Sequence, residues 1–175
     1  MKRCCDEHPK PVGSIIWALS ACSFLFGGCS GQKPALTASV NESASLVAGL
    51  PANPLQWRII SSSLNPNDST MATLCGNDVA VDYARSHAEH EYPENSVISL
   101  VTWSQQEDER WYGAKIPGAP KSVEFLFVKV GSDGKPSYSY ELYEGAPLAL
   151  RRAQQTLKPT GRVAELLSQR AAVMP

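Results

Sequence analysis

The segment His87-Ala88-Glu89-His90 has the one spacing in this sequence that is typical of a metal site. Two histidines three positions apart on a helix can face one ion, and Glu89 adds a carboxylate beside them. The spacing places no third ligand and no supporting partner. The alternative is a pair of exposed histidines at the end of a helix, where a positive charge is favourable. We therefore predict no metal site, and the sequence identifies no catalytic residue.

Cysteine chemistry is predicted near the start of the chain, where Leu25-Phe26-Gly27-Gly28-Cys29 closes an apolar run over Val12–Phe26. Basic residues precede this run, so residues 1–28 have the basic start, short apolar stretch and small residues of a lipoprotein signal peptide. Cleavage before Cys29 would make this cysteine the new N-terminus, carrying diacylglycerol and palmitate. Two acyl chains on one residue give stable membrane anchoring, which a single chain does not.

Two alternatives to this cleavage site remain open. The segment Leu19-Ser20-Ala21-Cys22 fits the same small-residue rule, and an uncleaved N-terminal membrane helix would also explain the apolar run. Cleavage before Cys22 would leave Ser23–Phe26 exposed to water, which disfavours it. Ser30, rather than Asp, follows Cys29, and by resemblance to enterobacterial sorting signals this favours the periplasmic side of the outer membrane over retention at the inner membrane.

Composition and charge narrow the remaining classes of function. Removal of the leader would leave Cys75 as the one cysteine without a lipid, and a lone cysteine cannot form an internal disulfide. We therefore predict that Cys75 is a small buried residue. The formal net charge of −1 and the lack of basic runs exclude nucleic acid as a partner. The short acidic group Glu107-Asp108-Glu109 is predicted to be a solvated turn.

The pattern along the chain predicts a flexible tether over residues 29–54, rich in small and polar residues, and a single folded domain over residues 55–175. Apolar residues at alternate or helical spacing predict the secondary structure of that domain. The predicted strands are Gln56–Ser63, Thr70–Cys75, Val97–Trp103, Trp111–Ile116, Ser122–Val130 and Tyr138–Tyr143. The predicted helices are Val79–His87, Leu148–Leu157 and Val163–Val173. This order favours an α+β fold, an antiparallel β-sheet with flanking helices on one face.

Local signals refine these elements. Asn77 is predicted to cap the first helix, with Asp78 near its positive end. Val79 and Tyr83 are predicted to face inward, with Ala80 as a further candidate. The segment Pro117-Gly118-Ala119-Pro120 is predicted to break the chain between two extended segments. Within Ser122–Val130 the alternation predicts that both faces of the strand are partly covered, whereas Gly131-Ser132-Asp133-Gly134 is typical of a hairpin turn. In the last helix, Val163, Leu166, Leu167, Arg170 or Ala171, and Met174 fall at helical spacing.

Four aromatic residues are candidates for a pocket lining. Aromatic walls suit planar apolar ligands, so a small apolar or planar ligand is the predicted occupant. The alternative is that rings at strand spacing belong to the hydrophobic core. The four candidates are Trp57, Trp103, Trp111 and Tyr112.

Several segments resemble the cytochrome P-460 family, and the resemblance extends from about Leu55 to the C-terminus. They are Trp57-Arg58-Ile59-Ile60-Ser61, Thr73-Leu74-Cys75-Gly76-Asn77-Asp78-Val79-Ala80-Val81, Val101-Thr102-Trp103, Trp111-Tyr112-Gly113-Ala114-Lys115-Ile116-Pro117 and Tyr143-Glu144-Gly145. The resemblance implies a mainly antiparallel sheet with flanking helices, often in a homodimer. It also implies a haem held by a Cys-x-x-Cys-His motif near the C-terminus, with activity on hydroxylamine or nitric oxide.

The sequence lacks that haem motif, because neither Cys nor His follows His90. Haem iron takes His, Cys, Met or Tyr as ligands. The remaining candidates in this chain are His87, His90, Met71, Met174 and several tyrosines. We predict an envelope lipoprotein with a non-catalytic role in binding a small ligand or as an accessory protein. The alternatives are a cytochrome with non-covalent haem, acting on hydroxylamine or nitric oxide, and a purely structural envelope protein.

Overall fold

Six antiparallel strands lie side by side in the order in which the chain forms them, β1-β2-β3-β4-β5-β6. The computed structural model describes residues 41–46, 49–86, 91–131 and 134–171, which belong to one compact unit, Val40–Pro175. The strands are β1 (Arg58–Asn65), β2 (Thr70–Gly76), β3 (Val97–Glu107), β4 (Lys115–Val130), β5 (Pro136–Glu144) and β6 (Ala149–Thr156). The helices are α1 (Asp78–Ser86) and α2 (Arg162–Ser168), and two 3-10 turns occur at Glu42–Ala44 and Pro54–Gln56. The fold is therefore an α+β fold in which one antiparallel sheet predominates, in agreement with the predicted antiparallel sheet.

Several predictions concern residues outside the described ranges. They are the signal peptide over residues 1–28, the lipidation sites Cys29 and Cys22, the pair His87 and His90, and Met174. Among the described residues, no helix is long and apolar enough to cross a membrane.

Helix α1 begins where the sequence predicts it. The Asn77 side chain accepts a hydrogen bond of 3.0 Å from the Ala80 amide, which is the geometry of an N-cap. It also accepts from the Val97 amide at 3.2 Å and donates to the Asn95 carbonyl at 2.8 Å, so it ties α1 to the start of β3. Ala80 is buried, but the prediction that Val79 faces inward is wrong, since Val79 is 43% exposed. Val81, two positions further along the helix, is buried instead.

Both helices cover the same face of the sheet. The apolar residues of α1 and α2 join those of the strands in one cluster, to which Tyr83, Leu142 and Ala171 add partly buried contacts. In α2, Val163, Leu166 and Leu167 are buried as the helical spacing predicts, although the helix ends at Ser168. The buried members are Ile60, Leu74, Ala80, Val81, Tyr92, Ile98, Leu100, Leu126, Val128, Tyr138, Tyr140, Val163, Leu166 and Leu167.

The prediction of a helix over Leu148–Leu157 is wrong, because this segment forms strand β6. The chain turns back after Gly145 (φ +101°) and pairs with β5 in the register Glu144↔Ala149 to Tyr138↔Thr156. Most of β6 is exposed, so the segment has no buried apolar stripe that would stabilise a helix. Pairing supplies hydrogen bonds to the open edge of β5, and this long-range gain overrides the local helix propensity.

The prediction of a break over Pro117–Pro120 is also wrong, because these residues lie inside β4. They pair with β3 where the register shifts, at Trp103↔Pro120 and Gln105↔Pro117. The pairing of β4 with β5 starts only at Ser122. The two prolines therefore occupy a bulged stretch with one neighbouring strand, where a missing N–H is tolerated. As a result β3 extends to Glu107, and the predicted extended segment Trp111–Ile116 becomes a loop that enters β4 only at Lys115.

Part of the predicted tether over residues 29–54 packs against the second face of the sheet. The Asn41 side-chain amide donates to the Pro117 carbonyl at 2.6 Å, and the Trp103 indole donates to the Ala44 carbonyl at 2.9 Å. Leu46 and Leu50 pack, partly buried, against the core cluster of this second face, which includes Trp103. Residues 41–46 and 49–54 therefore already belong to the packed part of the described chain, N-terminal to the predicted boundary of 55.

Candidate functional site

The second face of the sheet carries an aromatic cluster, which we define as Trp57, Phe125, Phe127 and Tyr143. Phe125 lies at its centre and is fully buried. Its ring meets Trp57 and Tyr143 edge-on, with centroids 6.1 and 5.8 Å away, and it stacks on Phe127 at 6.0 Å. These geometries are the favoured ones for aromatic pairs. The cluster forms because Phe125 and Phe127 alternate with the helix-facing residues of β4, as the sequence predicts.

The four predicted pocket residues fall in two places. Trp57 and Trp103 belong to the core of the second face, where Trp103 is buried and Trp57 is partly buried. Trp111 and Tyr112 lie in the β3–β4 loop and are 70% and 109% exposed. The structure therefore does not bring all four together, and a ligand pocket lined by these residues stays a prediction.

Cys75 lies on β2, two strands away from Phe125 at the centre of the aromatic cluster. In the register of the sheet it pairs with Ser99, which in turn pairs with Phe125, so the three side chains share one face. Cys75 is a free and buried cysteine, which confirms its prediction as a small buried residue. Burial raises the pKa of its thiol to about 11. The Ser99 hydroxyl beside it is buried and has no hydrogen-bond partner among the described residues.

The raised pKa of the Cys75 thiol predicts that the free energy of unfolding falls in alkaline solution. The folded state keeps Cys75 neutral up to a pKa of about 11, whereas the unfolded chain ionises near 9. The unfolded state therefore loses its proton first, and the free energy of unfolding falls as the pH rises from 9 towards 11, by about 1.4 kcal/mol per pH unit at most. Urea denaturation at pH 8 and pH 10.5 measures this fall. Cys75→Ala should fall less over the same interval, and an equal fall would contradict the assignment.

A buried ion-pair cluster lies on the helix-covered face, and we define it as Glu124, Tyr140 and Arg162. The Arg162 guanidinium donates two hydrogen bonds to the Glu124 carboxylate, at 2.8 and 2.7 Å. The Tyr140 hydroxyl donates to the same carboxylate at 2.7 Å. Glu124 is 5% exposed, so these three bonds replace the water that an ionised carboxylate needs. The cluster fixes the first residue of α2 on strand β4.

Sequence reasoning missed this cluster, although one signal for it is visible in the sequence. Glu124 shares its strand face with Leu126 and Val128, and a carboxylate on an apolar face needs a cationic partner. The partner follows 38 positions later, so no local spacing identifies it. Burial and the bond to Glu124 raise the pKa of Tyr140, and the bond to Glu124 raises the pKa of Arg162. Both groups therefore stay protonated at neutral pH.

A groove of about 410 Å³ opens beside the β3–β4 loop. Its lining is mainly polar and charged, and it includes neither Trp57 nor Trp103. Lys115 pairs with Glu107 at 2.7 Å, and Arg110 pairs with Asp108 at 3.4 Å. The lining residues are Gln106, Glu107, Asp108, Glu109, Arg110 and Ile116. Such a surface does not match the small apolar ligand that the sequence predicts.

The described residues do not fit the haem that the family resemblance implies. No histidine lies within the described ranges, so the haem ligands that those ranges offer are Met71, Cys75 and tyrosines. Cysteine and tyrosine bind iron when deprotonated, but burial raises the pKa of Cys75 and of Tyr140. Helix α2, near the C-terminus where the haem motif is implied, instead contributes Val163, Leu166 and Leu167 to the core.

Comparison with known proteins supports the resemblance over the central part of the chain. The family model for cytochrome P-460 matches residues 51–147, which is more than half of the 175 residues. No curated protein matches the sequence. The match includes β1 to β5 and α1, and it ends before β6 and α2. On the strength of this match, the chain belongs to the cytochrome P-460 family.

Proposed function

We propose that this protein is an envelope lipoprotein whose cytochrome P-460 domain binds a small apolar or planar ligand, or a partner protein, without catalysing a reaction. The observation that carries this proposal is that the C-terminal part of the chain, where the family's haem ligands are implied, contributes apolar side chains to the core instead. The sequence has no Cys or His after His90, and the C-terminal helix presents Val163, Leu166 and Leu167 to the sheet. The aromatic cluster supports a planar ligand in this proposal, since its Trp57 is only partly buried and aromatic rings favour planar apolar partners.

The cellular location in this proposal follows from the leader. Residues 1–28 act as the signal peptide, Cys29 carries the lipid, and Ser30 directs the protein to the periplasmic side of the outer membrane. Association with the membrane occurs through the lipid anchor, and nucleic acid is not a partner. A homodimer is the assembly that the family suggests.

A visible spectrum tests the proposal against haem binding. The full chain is produced in a haem-replete host, purified and then titrated with haem, while the absorbance of the Soret band is followed. We expect no Soret band of near-stoichiometric intensity, because the chain lacks the Cys-x-x-Cys-His motif and burial raises the pKa of Cys75 and Tyr140, which disfavours their deprotonated, iron-binding forms. A saturable Soret band at one haem per chain would instead support a cytochrome with non-covalent haem. The variants His87→Ala and His90→Ala would then show whether either histidine ligates the iron.

Metabolic labelling with palmitate tests the lipid anchor. The wild-type chain should take up label, and Cys29→Ser should abolish both the labelling and the cleavage of the leader. The matched control is Cys22→Ser, which should be labelled like the wild type. Labelling that survives Cys29→Ser and disappears in Cys22→Ser would move the anchor to Cys22. The absence of label in the wild type would reject the lipoprotein assignment.

A further inference from the structure

We propose that the β3–β4 loop, residues 108–114, docks on a zwitterionic phospholipid surface through Trp111 and Tyr112. This inference rests on the proposed function, because it takes the bilayer that holds the lipid anchor as the partner. It adds to that anchor a second contact, made by the folded domain itself, which would fix the orientation of the sheet relative to the membrane.

The loop presents its two aromatic rings from a hydrogen-bonded turn. The Asp108 amide donates to the Ala114 carbonyl at 3.0 Å, and the Ala114 amide donates to the Trp111 carbonyl at 3.0 Å. Gly113 adopts φ +76°, a conformation that other residues rarely take, and so permits the return of the chain. Trp111 and Tyr112 remain exposed, although the core next to β3 contains other aromatic rings. Exposed Trp and Tyr rings are typical of the level of lipid headgroups, since each ring is apolar with one polar group.

Ion pairing reduces the charge that the loop would bring to a membrane. Glu107 pairs with Lys115 at 2.7 Å, and Asp108 pairs with Arg110 at 3.4 Å. Asp108 is also largely buried, with 8% of its side chain exposed. Glu109 leaves the segment with one surplus negative charge, so an anionic surface would not attract it. The partner that fits aromatic rings on a nearly neutral loop is therefore a zwitterionic phospholipid.

Asn41, the first residue that the structure describes, lies beside this loop. The Asn41 side-chain amide donates to the Pro117 carbonyl at 2.6 Å, and the Gln106 side-chain amide donates to the Ser43 hydroxyl at 3.4 Å. Gln106 and Pro117 flank the loop on β3 and β4. Twelve positions separate Cys29 from Asn41, and covalent geometry limits such a segment to roughly 40 Å. An acyl group on Cys29 would therefore hold the bilayer within reach of this end of the sheet.

Depth-dependent fluorescence quenching of the full lipidated chain in phosphatidylcholine vesicles tests this contact. The quencher is a phospholipid with a spin label near the headgroup, and Trp111→Phe identifies the emission that comes from Trp111. We expect the spin label to reduce the emission of Trp111. We also expect aqueous iodide to quench Trp111 less in the presence of vesicles than in their absence. A matched control places the same probe at the other end of β4, as Val130→Trp in the Trp111→Phe background, because Val130 is also exposed. The control should be quenched by iodide and not by the lipid label.

The outcomes separate this inference from the lipid anchor. Equal behaviour of Trp111 and the Val130→Trp probe would overturn the docking of the loop, even if the palmitate label shows that the anchor is correct. Flotation of Cys29→Ser with the vesicles, together with lipid quenching of Trp111, would support the docking and show that it does not require the anchor, which the palmitate label tests separately. A wild-type chain that does not float with the vesicles would overturn both.

Discussion

Replacing Phe125 with alanine is expected to lower the free energy of unfolding by about 3–5 kcal/mol. Phe125 is fully buried, and its ring contacts three other aromatic rings at centroid distances of 5.8 to 6.1 Å. The substitution removes the transfer free energy of the ring and leaves a cavity that the strands cannot close. It also removes the favourable geometry of each aromatic pair. Urea denaturation at pH 7, followed by circular dichroism, measures the change.

The matched control for Phe125 is an aromatic residue without this packing. Trp111→Ala should change the free energy of unfolding by less than about 0.5 kcal/mol, because Trp111 is 70% exposed. Phe127→Ala should fall between the two, since Phe127 is only partly buried against the same cluster. A loss at Phe125 no larger than the loss at Trp111 would show that the second face is loosely packed. The aromatic cluster would then not hold residues 41–57 on the sheet.

The elements that the sequence predicted correctly are those whose signal is local. Ser122–Val130 alternates cleanly, and both faces of this strand are covered. The Asn77 cap was predictable because its side chain and the amide that it accepts from are three positions apart. Such patterns depend on neighbouring residues alone, so they can be recognised without knowing how the rest of the chain folds.

The elements that the sequence did not predict depend on partners far along the chain. Strand β6 has little apolar surface to bury, and it exists because the edge of β5 is open to it. Residues 117–120 stay extended because β3 pairs with them across two register shifts. The contact between Asn41 and Pro117 joins residues 76 positions apart, so composition alone predicted a tether. In each case tertiary pairing overrides the local preference.

The candidate site divides in the same way. The burial of Cys75 was predictable, since a cysteine without a partner usually packs as a small apolar residue. The pairing of Glu124 with Arg162 was not, because only the fold brings strand β4 to the start of α2. Trp57 and Trp103 were predicted in a pocket or in the core, and the structure places them with the core. The leader and the histidine pair lie outside the described residues, so these hypotheses await the experiments above.

Arg162→Met is expected to lower the free energy of unfolding by about 3 kcal/mol, near the lower end of the range for breaking a buried ion pair. The variant leaves the Glu124 carboxylate buried, with the Tyr140 hydroxyl as its one remaining hydrogen-bond partner among the described residues. The lower end applies because 36% of the Arg162 side chain is exposed, so water can partly replace the lost bonds. Urea denaturation of the full chain at pH 7 measures the loss. Lys115→Ala breaks an exposed pair with Glu107 and should cost about 0–1 kcal/mol.

A triple variant separates the loss of an ion pair from the loss of packing at the start of α2. Glu124→Leu, Tyr140→Phe and Arg162→Met together remove every polar group of the buried ion-pair cluster, so no buried charge of the cluster is left without a partner. The exposed Glu165 loses its pair with Arg162 in both the single and the triple variant, so this loss cancels in the comparison. Because apolar replacement of a whole buried ion pair is often neutral, the triple variant should recover most of the stability that Arg162→Met loses. If it is less stable than Arg162→Met, the three hydrogen bonds themselves stabilise the fold. If Arg162→Met costs no more than Lys115→Ala, the cluster does not anchor α2 to the sheet.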